Sequence, residues 1–415
     1  MKHNVFQKIT AAVLSALMLL TAASCAGGNA GTNDTSEKEE TQMTQETPQN
    51  ALEGFESSAK LVLPHEAKGT VTYVIDDTHK EVAMIAEDLA EKYPSLKITF
   101  AIIVSFLVSV QKSGGNYAYN EDGTFSFKGS NLKYGYWDKL LKSYDGKRFS
   151  FDSHTYSHAP WGIDDTTDYG FPANTIQLET LGSKQAIKQF FGVEPLAMIE
   201  PGTGNKLNYR PYFLEQVKKH YYGMRTTNKD AKNTPDYFAA NVNNRYNIGS
   251  FMIVDRTDGV PTPGLVDSWK SYIDSKLRIG GWACFCIHHI RHDGSGLANQ
   301  QVIYESQADE LFGYTESLGD DVWVALFDDA MKYYFEMSTA DLKVENDGEK
   351  LTVKITDGEP DEVFDFPLWV NVQVPEEWTE AYADGEVLEI KEKNGRHYVL
   401  VEVAPDTDGV SVTGK

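Results

Sequence analysis

The sequence is poor in cysteine, with three among 415 residues: Cys25, Cys284 and Cys286. Three thiols cannot build a disulfide framework, so a buried hydrophobic core has to hold the fold together. Hydrophobic residues make up 41% of the chain and aromatic residues 12%, which is enough for such a core and excludes a wholly disordered chain. The length exceeds what one ordinary domain needs and indicates two.

Positive charge is also scarce. The 38 lysines and arginines are outnumbered by 61 aspartates and glutamates, which gives a formal net charge of −23 at pH 7. A surface this acidic repels phosphate backbones, so we expect no nucleic-acid partner. It also repels anionic lipids, so that membrane association would need a covalent anchor. No feature of the sequence indicates an obligate protein partner.

The apolar run near the N-terminus, Ile9 to Leu20, is too short to span a bilayer as a helix. Two lysines precede it and small residues follow it, which predicts a signal peptide over residues 1–24. Cys25 comes next, as in the lipobox of bacterial lipoproteins, although Ala22 stands where leucine is usual. We therefore expect an exported lipoprotein, anchored through Cys25 on the cell surface or the periplasmic side. The alternative is ordinary signal cleavage beside an unmodified cysteine.

Three stretches of different composition follow the signal peptide. Residues 25–60 are mostly polar and predict a disordered tether. From 61 to 338, strand-like and helix-like patterns alternate, which predicts a mostly parallel sheet or a (β/α) barrel. Residues 339–415 alternate apolar and polar positions between turn signals, without a helical pattern, and predict a small antiparallel β-sandwich.

Hydrophobic periodicity defines the elements of the alternating region. The predicted strands lie at 71–75, 97–104, 148–152, 196–199, 250–254, 281–287 and 322–327. The predicted helices lie at 81–93, 175–191, 212–220, 264–277 and 329–337. In folds of this kind the reactive residues collect where strands end in loops.

Residues suited to metal-assisted chemistry follow two of these strands. Asp76 and Asp77 end the first, where one carboxylate can bind a cation and its neighbour can accept a proton. The alternative for this pair is a solvated turn or a helix cap. His154 and His158 follow another strand, and two imidazoles four residues apart can reach one metal ion. Surface histidines on an aromatic loop are the competing interpretation.

A further candidate site residue comes from residues 282–290, where side chains of a strand alternate between its two faces. Cys284, Cys286 and His288 share one strand face, and the larger apolar residues between them share the other. The larger residues suit contact with outer helices, whereas the small cysteines suit a crowded barrel interior. This places His288 in the central site and makes the cysteines core residues rather than a disulfide.

Two loops are candidates for substrate contact. Pro201, Gly202 and Thr203 form a loop that could present backbone N–H groups to a ligand, although an ordinary turn would have the same sequence. Tyr156 and Trp161 lie within and after the histidine motif and could stack on sugar rings. Packing beneath a long loop would explain these two aromatic residues equally well.

The order of the motifs is more specific than any one of them. An Asp-Asp pair after a first strand, then H-[ST]-x-x-H, then a loop with proline, then a late strand ending in histidine resembles the polysaccharide deacetylase family (carbohydrate esterase family 4, the NodB-homology fold). The resemblance spans about residues 69–337 and implies an irregular parallel (β/α) barrel with fewer than eight strands. The tail resembles the β-domain that follows this barrel in some bacterial members.

The resemblance also implies an enzyme, a metal-dependent deacetylase that removes N- or O-acetyl groups from an acetylated glycan. Asp76 would be the general base and His288 the general acid. Asp77, His154 and His158 would hold a divalent metal, usually zinc and sometimes cobalt or nickel. Two imidazoles and one carboxylate leave an open coordination position for water, as catalytic zinc requires.

Departures from the family pattern bear on activity. Ile199 occupies the position where the family often has the arginine that orients the base, and Glu200 adds a carboxylate that could raise the pKa of Asp76. Thr78 stands where glycine is usual. The family's Asp-x-x-Asp element, which partners that arginine, could correspond to Asp255 to Asp258. These departures leave an alternative open, a catalytically weak glycan-binding lipoprotein on the same fold.

Overall fold

The computed structural model describes residues 51–107, 117–127, 146–158, 175–202, 211–295 and 301–415. All of them belong to one compact unit that comprises residues 50–415. The predicted signal peptide, Cys25, Trp161 and Thr203 lie outside the described residues. Within the described part, no helix is both long and apolar enough to cross a lipid bilayer.

Strands and helices follow one another through most of this unit. The strands are β1 Ala59–Val62, β2 Gly69–Ile75, β3 Ile98–Ile102, β4 Tyr117–Tyr119, β5 Phe125–Phe127, β6 Phe149–Ser153, β7 Ala197–Ile199, β8 Gly223–Thr226, β9 Ile248–Gly249, β10 Phe251–Met252, β11 Trp282–Ile287, β12 His289–Arg291, β13 Val302–Tyr304, β14 Val322–Val324, β15 Asp341–Asn346, β16 Leu351–Thr356, β17 Leu368–Val374, β18 Ala381–Ala383, β19 Glu386–Leu388, β20 Lys391–Lys393, β21 Arg396–Val403 and β22 Val410–Gly414. The α-helices are α1 Lys80–Lys92, α2 Val104–Leu107, α3 Thr175–Gln177, α4 Ser183–Phe191, α5 Pro211–His220, α6 Pro235–Ala240, α7 Leu265–Leu277, α8 Glu305–Ser317 and α9 Phe327–Thr339. A π-helical turn, Leu178–Gly182, joins α3 to α4, and 3₁₀ turns cover Pro64–Glu66, Val242–Tyr246 and Gly319–Asp321.

The main sheet is parallel and closes on itself. Its strand order is β10-β11-β2-β3-β6-β7-β8-β9, so its two end strands are β9 and β10. These are consecutive in the chain and are separated only by Ser250. A single segment, residues 248–252, therefore pairs with β8 on one side and with β11 on the other. The result is the irregular (β/α) barrel that we expected. Because β9 and β10 form one segment, this order gives seven strand positions, and β14 adds an eighth by pairing with β2. The expectation of fewer than eight strands is therefore wrong.

The two faces of the barrel wall carry different residues. Val71, Tyr73 and Ile75 of β2 face outward and pack with Phe285 of β11 in the cluster beneath the surrounding helices. The alternate residues face inward, where the indole N–H of Trp282 donates a 2.8 Å hydrogen bond to Thr72. The inward residues of β2, Thr70, Thr72 and Val74, are small, which leaves room in the barrel interior for the large side chain of Trp282.

The C-terminal strands form two antiparallel sheets. One has the order β1-β17-β21-β20, and the other has the order β15-β16-β22-β18-β19. Buried and partly exposed residues alternate along β16 and β17, as expected for sheets with one face on a common core. The predicted all-β tail is therefore confirmed.

Residues 51–60 differ from their predicted role as part of a tether. Leu52 is buried in the cluster that contains the C-terminal strands, and β1 pairs with β17 from Ala59 to Val62. The polar composition of this segment concealed the strand, because β1 is a sheet-edge strand that needs few apolar residues.

Several predicted elements match the structure within a few residues, but a number of short or weakly patterned ones were missed. The sequence did not indicate β8, α6 or α8. The first is a strand of only four residues, and the hydrophobic pattern of α6 and α8 is too weak to define them. Asp328 lies within the first turn of α9, with its carboxyl group beside that of Asp152.

Gly249 provides a test of barrel closure. A Cβ atom at this position would lie 2.1 Å from the carbonyl oxygen of Asn228 and 2.5 Å from Cβ of Ala231. We expect Gly249→Ala to lower the free energy of unfolding by about 1–3 kcal/mol, because the closing segment has to shift. The matched control is Gly358→Ala, since nothing lies within 4 Å of its added Cβ. Denaturant unfolding measures both, and equal small effects would show that the segment does not constrain the barrel.

Candidate active site

The candidate residues follow the carboxyl ends of different barrel strands. Asp76 and Asp77 follow β2, His154 follows β6, and His288 follows β11. Because the strands of a closed parallel barrel all end at the same rim, these side chains meet although they are far apart in the sequence.

Asp77 lies at the centre of a group of imidazoles. Its Oδ1 is 3.3 Å from Nε2 of His154 and 3.2 Å from Nε2 of His158. Its Oδ2 is 3.7 Å from Nε2 of His288. Burial would raise the pKa of the Asp77 carboxyl, but the imidazoles of His154 and His158 beside it hold that pKa well below its usual range. Asp77 is therefore an anion directed at the two histidines.

The donor atoms of this group suit a divalent metal ion. One atom each from Asp77, His154 and His158 lie within 4.8 Å of one another. Nδ1 of His154 is 2.8 Å from the carbonyl oxygen of Ile199, which places the ring proton there and leaves the lone pair of Nε2 facing Asp77. Oδ1 of Asp77 is buried without a hydrogen-bond partner among the described residues. A cation would satisfy these atoms together.

The loop that carries His158 is hydrogen-bonded to the π-helical turn Leu178–Gly182. Glu179, buried within that turn, accepts hydrogen bonds from the backbone N–H of Ser157 at 2.9 Å and from its hydroxyl at 2.5 Å. Burial raises the pKa of Glu179, and these hydrogen bonds lower it in part. π-Helical turns are frequent near functional sites because they redirect a side chain by a fraction of a turn.

The backbone of the site lies in unusual conformations. Asp77, Thr78, Thr155 and His158 all have positive φ angles, between 53° and 66°. Such angles are costly for residues other than glycine, above all for β-branched threonine. At Thr78 the side chain compensates, because its hydroxyl accepts a 2.7 Å hydrogen bond from the N–H of Ile103. This explains how threonine replaces the glycine that is usual there.

Asp76 makes a buried ion pair with Arg225. Nη2 of Arg225 is 2.6 Å from Oδ2 of Asp76, and the two residues are 0% and 3% exposed. Burial would raise the pKa of Asp76, but the guanidinium of Arg225 outweighs it and lowers the pKa below its usual value. The carboxylate is therefore ionised near neutral pH.

The same contacts decide which oxygen of Asp76 is available. Oδ2 accepts the hydrogen bond from Arg225, and the thiol of Cys286 lies 3.3 Å from it. Oδ1 has no hydrogen-bond partner among the described residues. Asp76 is thus held by one oxygen while the other remains free to accept a proton.

Arg225 is the functional residue that the sequence did not reveal. Ile199 does stand where the family often has arginine, but β8, the next strand of the barrel, supplies a guanidinium to the same carboxylate. The signal that could have found it is a single basic residue in the short run Tyr222 to Thr226. Asp255 does not partner this arginine, because its carboxylate accepts hydrogen bonds from Thr262 and Gln307 instead.

His288 lies inside the barrel rim, as the alternation of side chains along residues 282–290 predicts. It is almost completely buried, and its Nδ1 has no hydrogen-bond partner in the described part of the chain. Burial lowers its pKa, and the nearby Asp76 and Asp77 carboxylates oppose that shift only in part. The imidazole is therefore uncharged near neutral pH.

The predicted substrate contacts have mixed outcomes. Tyr156 is 4% exposed and packs against the rings of Tyr117 and Phe127, so its face is not available to a sugar ring. Packing beneath neighbouring aromatic residues is the correct interpretation for Tyr156. Pro201 and Gly202 follow β7 at the same rim as the histidines, and Gly202 has a φ of 84° that allows the chain to turn there.

The ion pair of Asp76 and Arg225 yields a prediction about stability. We expect Arg225→Met to lower the free energy of unfolding of the metal-free protein by about 3–5 kcal/mol at pH 7, because it leaves a buried carboxylate unpaired. The deficit should shrink toward pH 4, because the unpaired carboxyl has a raised pKa and protonates.

Denaturant unfolding across this pH range measures the deficit. The control is Arg225→Met combined with Asp76→Asn, which should recover part of the loss at pH 7. A deficit that does not change with pH would show that packing, rather than charge, accounts for the effect of Arg225.

Known proteins resemble this chain in part. No protein-family model matches it. A stretch of 138 residues, 32% of the chain, is 28% identical to gellan lyase from Bacillus sp, and it covers 6% of that much longer protein.

Several solved structures of deacetylases and esterases are similar. The Streptococcus pyogenes deacetylase PplD is 16% identical over 37% of this chain and 54% of that chain, with a TM-score of 0.25. A Streptococcus mutans CE4 esterase is 12% identical over 63% and 87%, with a TM-score of 0.33. The Bacillus subtilis peptidoglycan deacetylase PdaC is 12% identical over 63% and 89%, with a TM-score of 0.29.

The names of these solved structures agree with the family that the order of motifs in this sequence resembles. Their identities are below 25% and their TM-scores below 0.5, so the activity of this chain has to be argued from its own residues. The solved structures that the chain resembles are polysaccharide deacetylases and carbohydrate esterases.

Proposed function

We propose that this protein is a metal-dependent carbohydrate deacetylase that hydrolyses N- or O-acetyl groups of a polysaccharide or oligosaccharide. The observation that carries the proposal is the meeting of two distinct carboxylates with three imidazoles at one rim of the barrel. Asp77 is directed at His154 and His158, whereas Asp76 is paired with Arg225 and has one free oxygen. The two carboxylates thus suit different tasks.

Asp77, His154 and His158 would hold a divalent metal, with zinc, cobalt and nickel as candidates for this donor set. When bound, the metal lowers the pKa of water and polarises the acetyl carbonyl group. The hydrogen bond of His154 to Ile199 fixes the tautomer that ligation needs.

Asp76 acts as the general base. Its Oδ1 accepts the proton of the attacking water, while Arg225 and Cys286 hold Oδ2 in place. The paired guanidinium keeps Asp76 ionised, which a base requires before the reaction. Negative charge develops on the oxygen of the acetyl carbonyl group, and a backbone N–H of the loop that begins at Pro201 would stabilise it.

His288 acts as the general acid for the leaving group. Because burial lowers its pKa, it is uncharged at rest and has to receive a proton during the reaction. Donor atoms of His288 and Asp76 lie within 4.8 Å of each other, so the proton that Asp76 takes from the attacking water would pass to His288 through one bridging water. His288 then protonates the departing nitrogen or oxygen of the sugar, and acetate is released.

The alternative of a weak glycan-binding protein loses its main support. That interpretation rested on the missing arginine, and Arg225 supplies a guanidinium to Asp76 from the neighbouring strand. We therefore propose a catalytic site rather than a binding groove alone.

Acetate release tests the proposal. Acetylated xylan, chitooligosaccharides and peptidoglycan are incubated with the protein, with and without a chelator. We expect release from at least one substrate, abolished by the chelator and restored by added zinc or cobalt. Asp76→Asn should lower kcat by about 10²-fold or more while retaining the metal, and His154→Ala should lower metal content itself. Absence of release from all three by the metal-loaded protein would contradict the proposal.

The pKa directions predict the pH profile. Asp76 has a lowered pKa and is ionised above pH 4, and His288 has a pKa below its ordinary value of 6.5 and is neutral above it. We therefore expect kcat/KM to be level from pH 6.5 to 8 and to fall only on the acid side. Initial rates at constant free metal measure this. A fall between pH 6.5 and 8 that His288→Gln removes would show that His288 must be charged beforehand.

A further inference from the structure

A second group of metal-binding residues lies beside the site. It comprises His79 and Glu81, at the start of α1, and His289, the first residue of β12. One donor atom from each lies within 4.8 Å of the other two. Neither the family resemblance nor the proposed mechanism uses these three residues.

The chain brings these residues together through the same features that build the site. His288 and His289 are consecutive, so one points to the centre of the barrel and the other points away from it. The imidazole of His289 stacks on that of His79, with ring centroids 3.5 Å apart and an angle of 28° between the planes. His79 comes two residues after Asp77, and its Nε2 is 3.6 Å from Oδ2 of that residue.

His289 has the properties of a ligand rather than of a surface histidine. It is 8% exposed, and its Nδ1 is buried without a hydrogen-bond partner among the described residues. A buried ring nitrogen with no partner loses the hydrogen bond that water would give it. A metal ion would satisfy that nitrogen together with the neighbouring imidazole and carboxylate.

One positive group opposes the binding of a cation. Nη2 of Arg291 is 3.3 Å from Oε1 of Glu81, so it competes for that carboxylate. The negative charges of Asp77 and Glu81 act in the other direction. This balance predicts weaker binding here than at Asp77, His154 and His158, because the ion pairs of Asp77 among the described residues involve histidines and no arginine or lysine.

We propose that His79, Glu81 and His289 bind a second divalent transition-metal ion beside the first. Two imidazoles and one carboxylate are a donor set that zinc and similar ions use in proteins. Asp77 lies between the two groups, with Oδ1 directed at His154 and His158 and Oδ2 near His79. Its negative charge would therefore favour a cation in either group.

Metal stoichiometry tests this proposal independently of activity. The tag-free protein is stripped with chelator and titrated with cobalt or zinc, and bound metal per chain is measured by calorimetry and elemental analysis. We expect two ions for the unchanged protein, the second bound more weakly. His289→Gln and Glu81→Gln should each bind one ion with the affinity of the first site.

Matched variants exclude indirect effects. His292→Gln removes an exposed histidine that pairs with Glu305 and should still bind two ions. Arg291→Met should bind the second ion at least about threefold more tightly, because it removes a competing charge. Thermal unfolding confirms that each variant is folded.

One ion per chain at saturation, lost in His154→Ala but kept in His289→Gln, would overturn the second site. That result would leave the proposed deacetylase site intact, so the two proposals can fail separately.

Discussion

Closure of the parallel barrel is the constraint on which the rest of this structure depends. Residues 248–252 pair with strands on both of their sides, and this makes the sheet continuous. Closure places β8 across from β2, so that Arg225 meets Asp76 although the two are 149 residues apart in the chain. It also brings the ends of β2, β6 and β11 to one rim, where the imidazoles surround Asp77.

The chemistry of the site follows from how its charges are divided. Two consecutive carboxylates, if unpaired, would repel each other and neither would remain ionised without cost. Arg225 neutralises Asp76, and the imidazoles of His154 and His158 lie against Asp77. The two carboxylates therefore have different surroundings. His79 and His289 extend the group of imidazoles around Asp77.

The C-terminal sheets are joined to the barrel through shared packing. The hydroxyl of Tyr333, on α9, accepts a 2.9 Å hydrogen bond from the N–H of Trp369 on β17. Arg245 of the barrel makes a bidentate ion pair with Glu359, which follows β16. One hydrophobic cluster contains both barrel residues, such as Val74, and sandwich residues, such as Val372. The tail is thus packed on the barrel rather than tethered to it.

Local sequence patterns were enough to predict the alternation of strands and helices, the all-β tail and the candidate residues that follow strand ends. These are local properties, because hydrophobic periodicity and the residues just after a strand can be read within a short window. Asp77, His154, His158 and His288 were found in this way, since each belongs to a recognisable motif.

The pairing of residues that are distant in the chain could be seen only in the folded structure. Arg225 lies on a four-residue strand with no motif, and its role depends on the strand across the barrel. Tyr156 resembled a sugar-binding residue in the sequence, yet rings from β4 and β5 cover it. Long-range pairing and burial depend on how the whole barrel closes, and no local pattern of residues encodes that closure.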